Sequence, residues 1–277
     1  MILADALAGY EKELGAVGEE PEALSFVYRG LKHWDLTQFL LHLRQEVSEE
    51  DEKLLSSIFN QLKAHKPAQY ILGFEDFHGL RFQVDERVLI PRPETEELVE
   101  LILAENPKTE LKILDIGTGS GAISVSLKAS RPHWLVTASD LSAAAIELAR
   151  ENAKLNQVDI SFIQSDVFEA ISDSFDIIVS NPPYISENDK DEVGINVLAS
   201  EPKMALFADE DGLAIYRQII EGAAKYLTPK GKLYFEIGYK QGQDLKKLFS
   251  LHFPDKRVRV LKDQFGQDRM VVMDDEN

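Results

Sequence analysis

From Leu111 onward the chain alternates short apolar, β-branched runs with helical segments, and this alternation limits the fold more than any other feature. Strands are expected at 111–116, 135–139, 160–164, 175–180 and 232–237. Between them, apolar residues at helical spacing mark 122–129, 143–156 and 214–226. Parallel strands need long crossovers, and helices of this length supply them. The pattern therefore predicts an α/β fold with a doubly wound, mostly parallel sheet and helices on both faces. After a helix near 241–249, two further strands at 257–262 and 270–273 follow with only a loop between them. Strands joined in this way pair as an antiparallel hairpin at a sheet edge, which makes a seven-stranded sheet.

The first part of the chain reads differently. To about Lys66 the spacing is helical throughout: Ala6, Leu7, Tyr10 and Leu14; Leu36, Phe39, Leu40 and Leu43; Leu54, Leu55, Ile58 and Leu62. Asp35 and Ser48 stand where N-caps belong, and Gly30 suits a helix end. A small helical bundle is expected, with the run from Leu36 to Leu41 packed in its core. From Phe74 to Ile90 the period changes to an alternation carrying the turn signals His78-Gly79 and Asp85-Glu86, as in a β-hairpin. Pro91-Arg92-Pro93 stops it, and a helix restarts at Glu94 with acidic residues in its first turn. The expected organisation is a helical domain at 1–73, a hairpin linker at 74–92 and the α/β domain at 93–277.

Strand one of the α/β region ends in Asp115-Ile116-Gly117-Thr118-Gly119-Ser120-Gly121 and runs straight into a helix. Glycines there let the backbone turn tightly and approach a ligand with no Cβ in the way. Asp140 closes the next strand, at a distance suited to accepting hydrogen bonds from two ribose hydroxyls. Together they mark a nucleoside site at the carboxyl ends of the strands. Gly117, Gly119 and Ala122 also satisfy the spacing of a dinucleotide fold, so the loop leaves the ligand open. Two details favour S-adenosylmethionine. Asp115 precedes the glycines, where a carboxylate can reach a cationic amino group. Asp166 and Phe168 follow the third strand, where an acid and an aromatic ring can cover adenine. The competing reading of that pair is a strand-end cap and a core aromatic.

The most specific segment is Asn181-Pro182-Pro183-Tyr184, at the end of the buried pattern 175–180. Two prolines stiffen the turn and remove two backbone donors, leaving carbonyls able to accept. This suits a planar nitrogen nucleophile, whose lone pair is delocalised and which attacks poorly unaided. The Asn181 side-chain oxygen and the Pro182 carbonyl can accept from both hydrogens of an amide NH₂, while Tyr184 stacks on its flat face. Positioning and local electrostatics then carry the rate. No side chain stands out as a general base, and the histidines show no metal-ligand spacing. Arg92 and Glu94 fit either an entry loop or the joint between domains, and Glu201 either a substrate contact or a helix cap.

Composition narrows the partners. With 30 basic against 48 acidic residues, the formal charge of −18 argues against a protein that holds nucleic acid mainly by its phosphates. It suits solubility, or attraction to a basic partner surface. The absence of cysteine removes disulfides, thiolate metal sites and a cysteine nucleophile. No signal peptide or membrane-spanning run is evident, so a cytoplasmic protein is expected.

The Asn-Pro-Pro-Tyr motif resembles that of class I, Rossmann-like methyltransferases acting on planar nitrogens. Further segments resemble the release factor glutamine methyltransferases, the HemK/PrmC family: Lys66-Pro67-Ala68-Gln69-Tyr70-Ile71-Leu72-Gly73, Phe77-His78-Gly79-Leu80, Leu89-Ile90-Pro91-Arg92-Pro93-Glu94-Thr95-Glu96, Glu201-Pro202, Ala205-Leu206, Asp211-Gly212-Leu213 and Glu236-Ile237-Gly238. The resemblance runs from about residue 66 to the end. It implies methyl transfer from S-adenosyl-L-methionine, with S-adenosyl-L-homocysteine as co-product, to the side-chain N5 of the glutamine in the Gly-Gly-Gln motif of peptide chain release factors. Carried over by position, Gly117, Thr118, Gly119, Ser120, Gly121, Asp140 and Phe168 bind the cofactor, with Asp115 and Asp166 beside them. Asn181 serves cofactor and glutamine, and Pro182, Pro183 and Tyr184 complete the substrate site. The helical domain helps grip the release factor. The chain departs from the family at Phe168, where some relatives carry tryptophan. The alternative is a nucleic-acid N-methyltransferase of the adenine N6 type using the same motif, which calls for a basic recognition region.

Overall fold

The computed structural model describes residues 1–275, which divide into two compact units. The first comprises Met1–Phe74 together with Val193–Glu201. Its helices are α1 (Leu3–Ala16), α2 (Ala23–Leu31), α3 (Leu36–His42), α4 (Glu49–Lys63) and α5 (Ala68–Leu72). The helix Ile195–Ser200, ninth in chain order and labelled α9, joins them. In α4 the buried residues Leu55, Ile58, Phe59 and Leu62 repeat at helical spacing and meet Leu7, Leu14, Leu24 and Val27 in one core. Ser48 caps α4 through the Asp51 N–H (3.1 Å), and four acidic residues fill its first turn. Asp35 and Gln38 form a reciprocal capping box at α3 (2.7 and 2.9 Å).

One expectation in this unit is corrected. Only Phe39 and Leu43 of the α3 region pack on the core, whereas Leu36, Leu40 and Leu41 are 58%, 56% and 68% exposed. A seven-residue helix has room for one i,i+4 pair against the core, and the remaining leucines fall on its outer side. Gly30 is the penultimate residue of α2, at the helix end as expected. A Cβ there would come within 2.5 Å of Leu72 Cδ2, the end of a side chain from α5 that packs against this glycine.

The second unit comprises Glu75–Glu192 and Pro202–Asn277. A hairpin of β1 (Phe74–Phe77) and β2 (Leu80–Gln83) turns at His78 and Gly79, both at positive φ as a two-residue turn requires. The alternating pattern continues to Ile90, but the strand stops at Gln83. The backbone N–H and C=O of Gln83 pair with the Asn152 side chain (2.7 and 3.0 Å), and Asp85 then folds a turn onto Arg87 and Val88. Val84, Val88 and Ile90 are buried in irregular backbone, which reproduces the apolar alternation without a strand.

Helix α6 (Pro93–Glu105), with proline in its first turn, leads into β3 (Lys112–Ile116), α7 (Ala122–Ser130), β4 (Leu135–Asp140), α8 (Ala143–Leu155), β5 (Ser161–Gln164) and β6 (Phe175–Ser180). A 3-10 segment (Glu187–Glu192), short helices α10 (Lys203–Leu206) and α11 (Asp209–Gly212), then α12 (Ala214–Ala223), β7 (Leu227–Glu236), α13 (Gly242–His252), β8 (Arg257–Lys262) and β9 (Asp268–Asp274) complete the unit. The seven-stranded sheet has the order β5-β4-β3-β6-β7-β9-β8, parallel from β5 to β7. The last two strands do pair antiparallel, with β9 inserted between β7 and β8.

Neighbouring strand residues face opposite layers. Ile113, Ile177, Val179 and Tyr234 join Leu98, Ile102 and Val125 from α6 and α7. Leu114, Ile178, Leu233 and Phe235 join Tyr216, Ile219 and Phe249 from α12 and α13. Strands covered on both faces lose the polar half of their alternation, which explains their nearly continuous apolar runs. Among the described residues no helix is long and apolar enough to cross a membrane.

Candidate active site

The strand order reverses between β3 and β6, and there the crossovers leave in opposite directions and open a crevice at the carboxyl ends. Ser180 Oγ donates to the Ile116 carbonyl (2.6 Å) and ties the two strands together at that point. A cavity lies over this edge. Of the residues singled out in the sequence, Gly117, Thr118, Gly119, Ser120, Asp140, Asp166, Asn181, Pro182 and Pro183 line it.

The glycine loop is held open by its own backbone. Gly117 and Thr118 N–H both donate to the Ser139 carbonyl (2.8 and 2.9 Å), and Gly117 and Gly119 sit at φ of 72° and 55°. A Cβ on either would meet no protein atom within 4 Å, so the loop is a cradle without side chains. Gly121 serves packing instead. It does not line the cavity, and a Cβ there would press on Ala149 and Val125 at 3.3 Å.

Asp140 accepts from Gly119 N–H through Oδ2 (2.9 Å) and from Ser142 N–H through Oδ1 (2.8 Å). Each carboxylate oxygen can accept two bonds, and the Leu141 N–H adds to the backbone donors that hold this group. Burial raises the Asp140 pKa, against the opposing pull of backbone N–H groups. Asp115 is fully buried beneath the loop and does not line the cavity. Its Oδ2 accepts the Thr118 hydroxyl (2.6 Å), and its Oδ1 has no hydrogen-bond partner among the described residues. Burial pushes its pKa to about 7. An unpartnered carboxylate oxygen under the loop fits a cationic group above it, with Thr118 between.

Beyond β5, Ser165, Asp166 and Val167 line the cavity, and Val167 adopts the left-handed region (φ 42°). Phe168 turns away. It stacks on Tyr226 (centroids 4.4 Å, planes 8° apart) and fills the space above Gly222, where a Cβ would meet its ring at 2.7 Å. Its surroundings are those of a core aromatic.

At the end of β6, Asn181 Nδ2 donates to Thr95 Oγ1 (3.3 Å), which donates to Glu236 Oε2 (2.6 Å). Thr95 and Glu236 are buried, on α6 and at the end of β7. The Tyr184 ring does not line the cavity and lies by Gly238, where a Cβ would come within 3.2 Å of it. Its backbone is clamped more firmly. Gln241 Nε2 donates to the Tyr184 carbonyl (2.9 Å), and Gly212, at φ 82°, passes so close that a Cβ would be 2.0 Å from the same oxygen. The Ile185 N–H to Leu206 C=O bond (3.0 Å) holds the next residue.

Several lining residues were not singled out as site residues: Arg87, Leu89 and Pro91 before α6, Thr95, and Pro202 and Met204 around α10. Arg92, left open between loop and joint, also lines the cavity. Glu201 is buried as the C-cap of α9. The signal for the segment before α6 was its density of prolines beside arginine; nothing local marked Thr95.

Comparison with known proteins agrees with this architecture. The chain matches the PrmC N-terminal domain over residues 5–73 and the methyltransferase small domain over residues 95–209. It is 62% identical over 276 residues to a release factor glutamine methyltransferase of Streptococcus pneumoniae, covering 99% of both chains. A release factor glutamine methyltransferase of Lactococcus lactis is 52% identical over 260 residues, covering 94% of this chain and 96% of the relative. Among solved structures, a methyltransferase from Pyrococcus furiosus shares the fold, with a TM-score of 0.55 at 18% identity over 82% of this chain and 99% of that one. Identity this high across the whole length, on a methyltransferase fold, means that the chain belongs to the release factor glutamine methyltransferase family.

Proposed function

We propose that this chain transfers a methyl group from S-adenosyl-L-methionine to the side-chain N5 of the glutamine in the Gly-Gly-Gln motif of peptide chain release factors. The observation that carries this reading is the arrangement at the end of β6. There Asn181 and Pro182 line the same cavity as the glycine cradle and Asp140, and the Asn181 side-chain oxygen and the Pro182 carbonyl are the two acceptors assigned to a primary amide. The donor supplies an activated methyl group on a sulfonium. Asp140 is assigned the ribose hydroxyls, Gly117 to Ser120 the close backbone approach, Asp166 the adenine side, and Asp115 with Thr118 the cationic amino group.

Asn181 Oδ1 and the Pro182 carbonyl accept the two N–H groups of the glutamine amide, which fixes the nitrogen in line with the methyl group and polarises it. Pro183 stiffens the turn, and Tyr184, whose ring does not line the cavity, anchors that turn through the Gln241 bond to its carbonyl. The proton released from the product leaves to water, and no side chain is assigned as general base. The helical unit is assigned the grip on the release factor; the exposed Leu36, Leu40 and Leu41 of α3 support that role. The reaction is assigned to the cytoplasm, where release factors act.

The test is methyl transfer from labelled S-adenosylmethionine to a purified release factor, to the same factor with its Gly-Gly-Gln glutamine replaced, and to DNA. Label on the intact factor alone is the expected result. Label on DNA and not on the factor would assign the site to nucleic-acid methylation.

A further inference from the structure

We propose that Thr95 and Glu236 are positioning residues for methyl transfer, holding the Asn181 side chain with its amide nitrogen inward and its oxygen presented to the substrate amide. The inference rests on the function proposed above. It follows from counting hydrogens. A threonine hydroxyl has one hydrogen, and Thr95 gives it to Glu236 Oε2 at 2.6 Å. Towards Asn181, at 3.3 Å, Thr95 Oγ1 can then only accept, so the Asn181 atom facing it must be the NH₂. Oδ1 is left for whatever occupies the cavity that Asn181 lines. An asparagine amide turned the other way would offer two donors to a substrate NH₂ that has only donors to give, and the clamp would become a repulsion.

The arrangement is enforced only while Glu236 is a carboxylate, which accepts and cannot donate. A protonated Glu236 could donate to Thr95, free the threonine hydrogen for Asn181 Oδ1 and permit the reversed amide. Glu236 is 1% exposed. The groups that face it are Glu94 and Thr95 on α6, Asn181 and Tyr184 after β6, Tyr216 on α12 and Arg269 on β9. Tyr216 donates its hydroxyl to the Glu236 backbone carbonyl (2.6 Å), and Arg269 is itself held by Asp263 (3.1 Å). Burial raises the Glu236 pKa to about 7; Thr95, Arg269 and Asn181 oppose the rise, and Glu94 adds to it. The orienting carboxylate therefore titrates in the neutral range, and turnover should climb as pH rises through about 7.

Steady-state transfer to a purified release factor, with donor saturating, tests this in Thr95→Val, Thr95→Ser and Glu236→Gln between pH 6 and about 8.5. The expected result is a kcat lowered on the order of 10-fold in Thr95→Val and Glu236→Gln, the worth of about one hydrogen bond to a charged group. Donor affinity by calorimetry should stay within about twofold, because neither residue is assigned to the donor. Thr95→Ser should restore turnover, and the rise of kcat with pH should vanish in Glu236→Gln. Wild-type kcat in Thr95→Val, or equal loss in Thr95→Val and Thr95→Ser, would overturn the proposal by reducing Thr95 to a space filler. Where Thr95→Val does not fold, a wild-type pH rise in Glu236→Gln overturns it instead. A readout without substrate separates this inference from the function it rests on. The side-chain NH₂ resonances of Asn181, assigned by their loss in Asn181→Ala, should move in Thr95→Val and not in Thr95→Ser. Unmoved resonances contradict the orientation, whichever substrate the enzyme takes.

Discussion

The two ends of the cavity are built from different kinds of chain. At the end proposed for the methyl donor, the glycine cradle, Thr118, Asp115 and Asp140 come from a single βαβ stretch, and most of the hydrogen bonds are made by backbone N–H groups. At the amide end, Asn181, Thr95 and Glu236 come from three elements, 86 and 141 residues apart in the two hydrogen-bonded pairs. Each end buries one carboxylate completely and raises its pKa to about 7, Asp115 in one case and Glu236 in the other. One holds a tight turn whose shape is local. The other holds a side-chain orientation that exists only once the sheet has formed. Binding and turnover should therefore separate under mutation.

The sharpest break is Asn181→Ala. Removing an acceptor aimed at the reacting amide should lower kcat by roughly 10²–10³, comparable to the loss of one oxyanion-hole donor. Donor affinity measured by calorimetry should hardly change, and near-normal turnover would abolish the proposed amide clamp. Asp140→Ala should do the reverse. Losing charge-assisted bonds to two hydroxyls should weaken donor binding by about 10- to 100-fold, while kcat at saturating donor stays close to wild type. An effect confined to kcat would mean that Asp140 does not face the ribose.

Asn152→Ala probes the scaffold that both ends share. This buried side chain bonds the Gln83 backbone twice and the Ser120 carbonyl (2.9 Å), joining the hairpin to the glycine loop. Its loss should cost about 2–3 kcal/mol, at about 1 kcal/mol per buried bond, visible in denaturant unfolding and accompanied by weaker donor binding. Unchanged stability would show that the hairpin is held without these bonds, by Phe77 and Phe82 in the core and by the Asn156 bond to the Arg81 carbonyl (2.8 Å).

The smallest effect concerns pH. A carboxyl group whose folded pKa is raised stabilises the fold fully below its unfolded value near 4, and loses that contribution as pH rises through about 7. Wild type should lose this increment between about pH 4 and 7, and Glu236→Gln, which is neutral throughout, should not. The gap in Tm in favour of the variant should widen by a few degrees over that range. A gap independent of pH would mean that Glu236 is ionised across it.

The same contrast separates what was legible in the sequence from what was not. Strands and helices of the α/β unit could be read because burial on both faces leaves apolar runs of the right length between glycine and proline punctuation. The glycine loop, Asp140 and Asn181-Pro182-Pro183 were legible because their chemistry is contiguous. Thr95 and Glu236 were visible only as members of family-like segments. A threonine in the first turn of a helix and a glutamate ending a strand are ordinary residues until folding brings them to 2.6 Å. Phe168 and the α3 leucines show the converse. An aromatic or a leucine reads the same whether it turns inward or outward, and only packing decides.

The central claim is tested most directly by locating the methyl group. A purified release factor would be treated with this protein and S-adenosylmethionine, digested, and its peptides sequenced by tandem mass spectrometry. The expected result is one added methyl on the glutamine of the Gly-Gly-Gln peptide, absent when Asn181→Ala replaces the wild type. A methyl group on any other residue, or an unmodified glutamine despite bound donor, would contradict the assignment of this cavity to glutamine N5 chemistry.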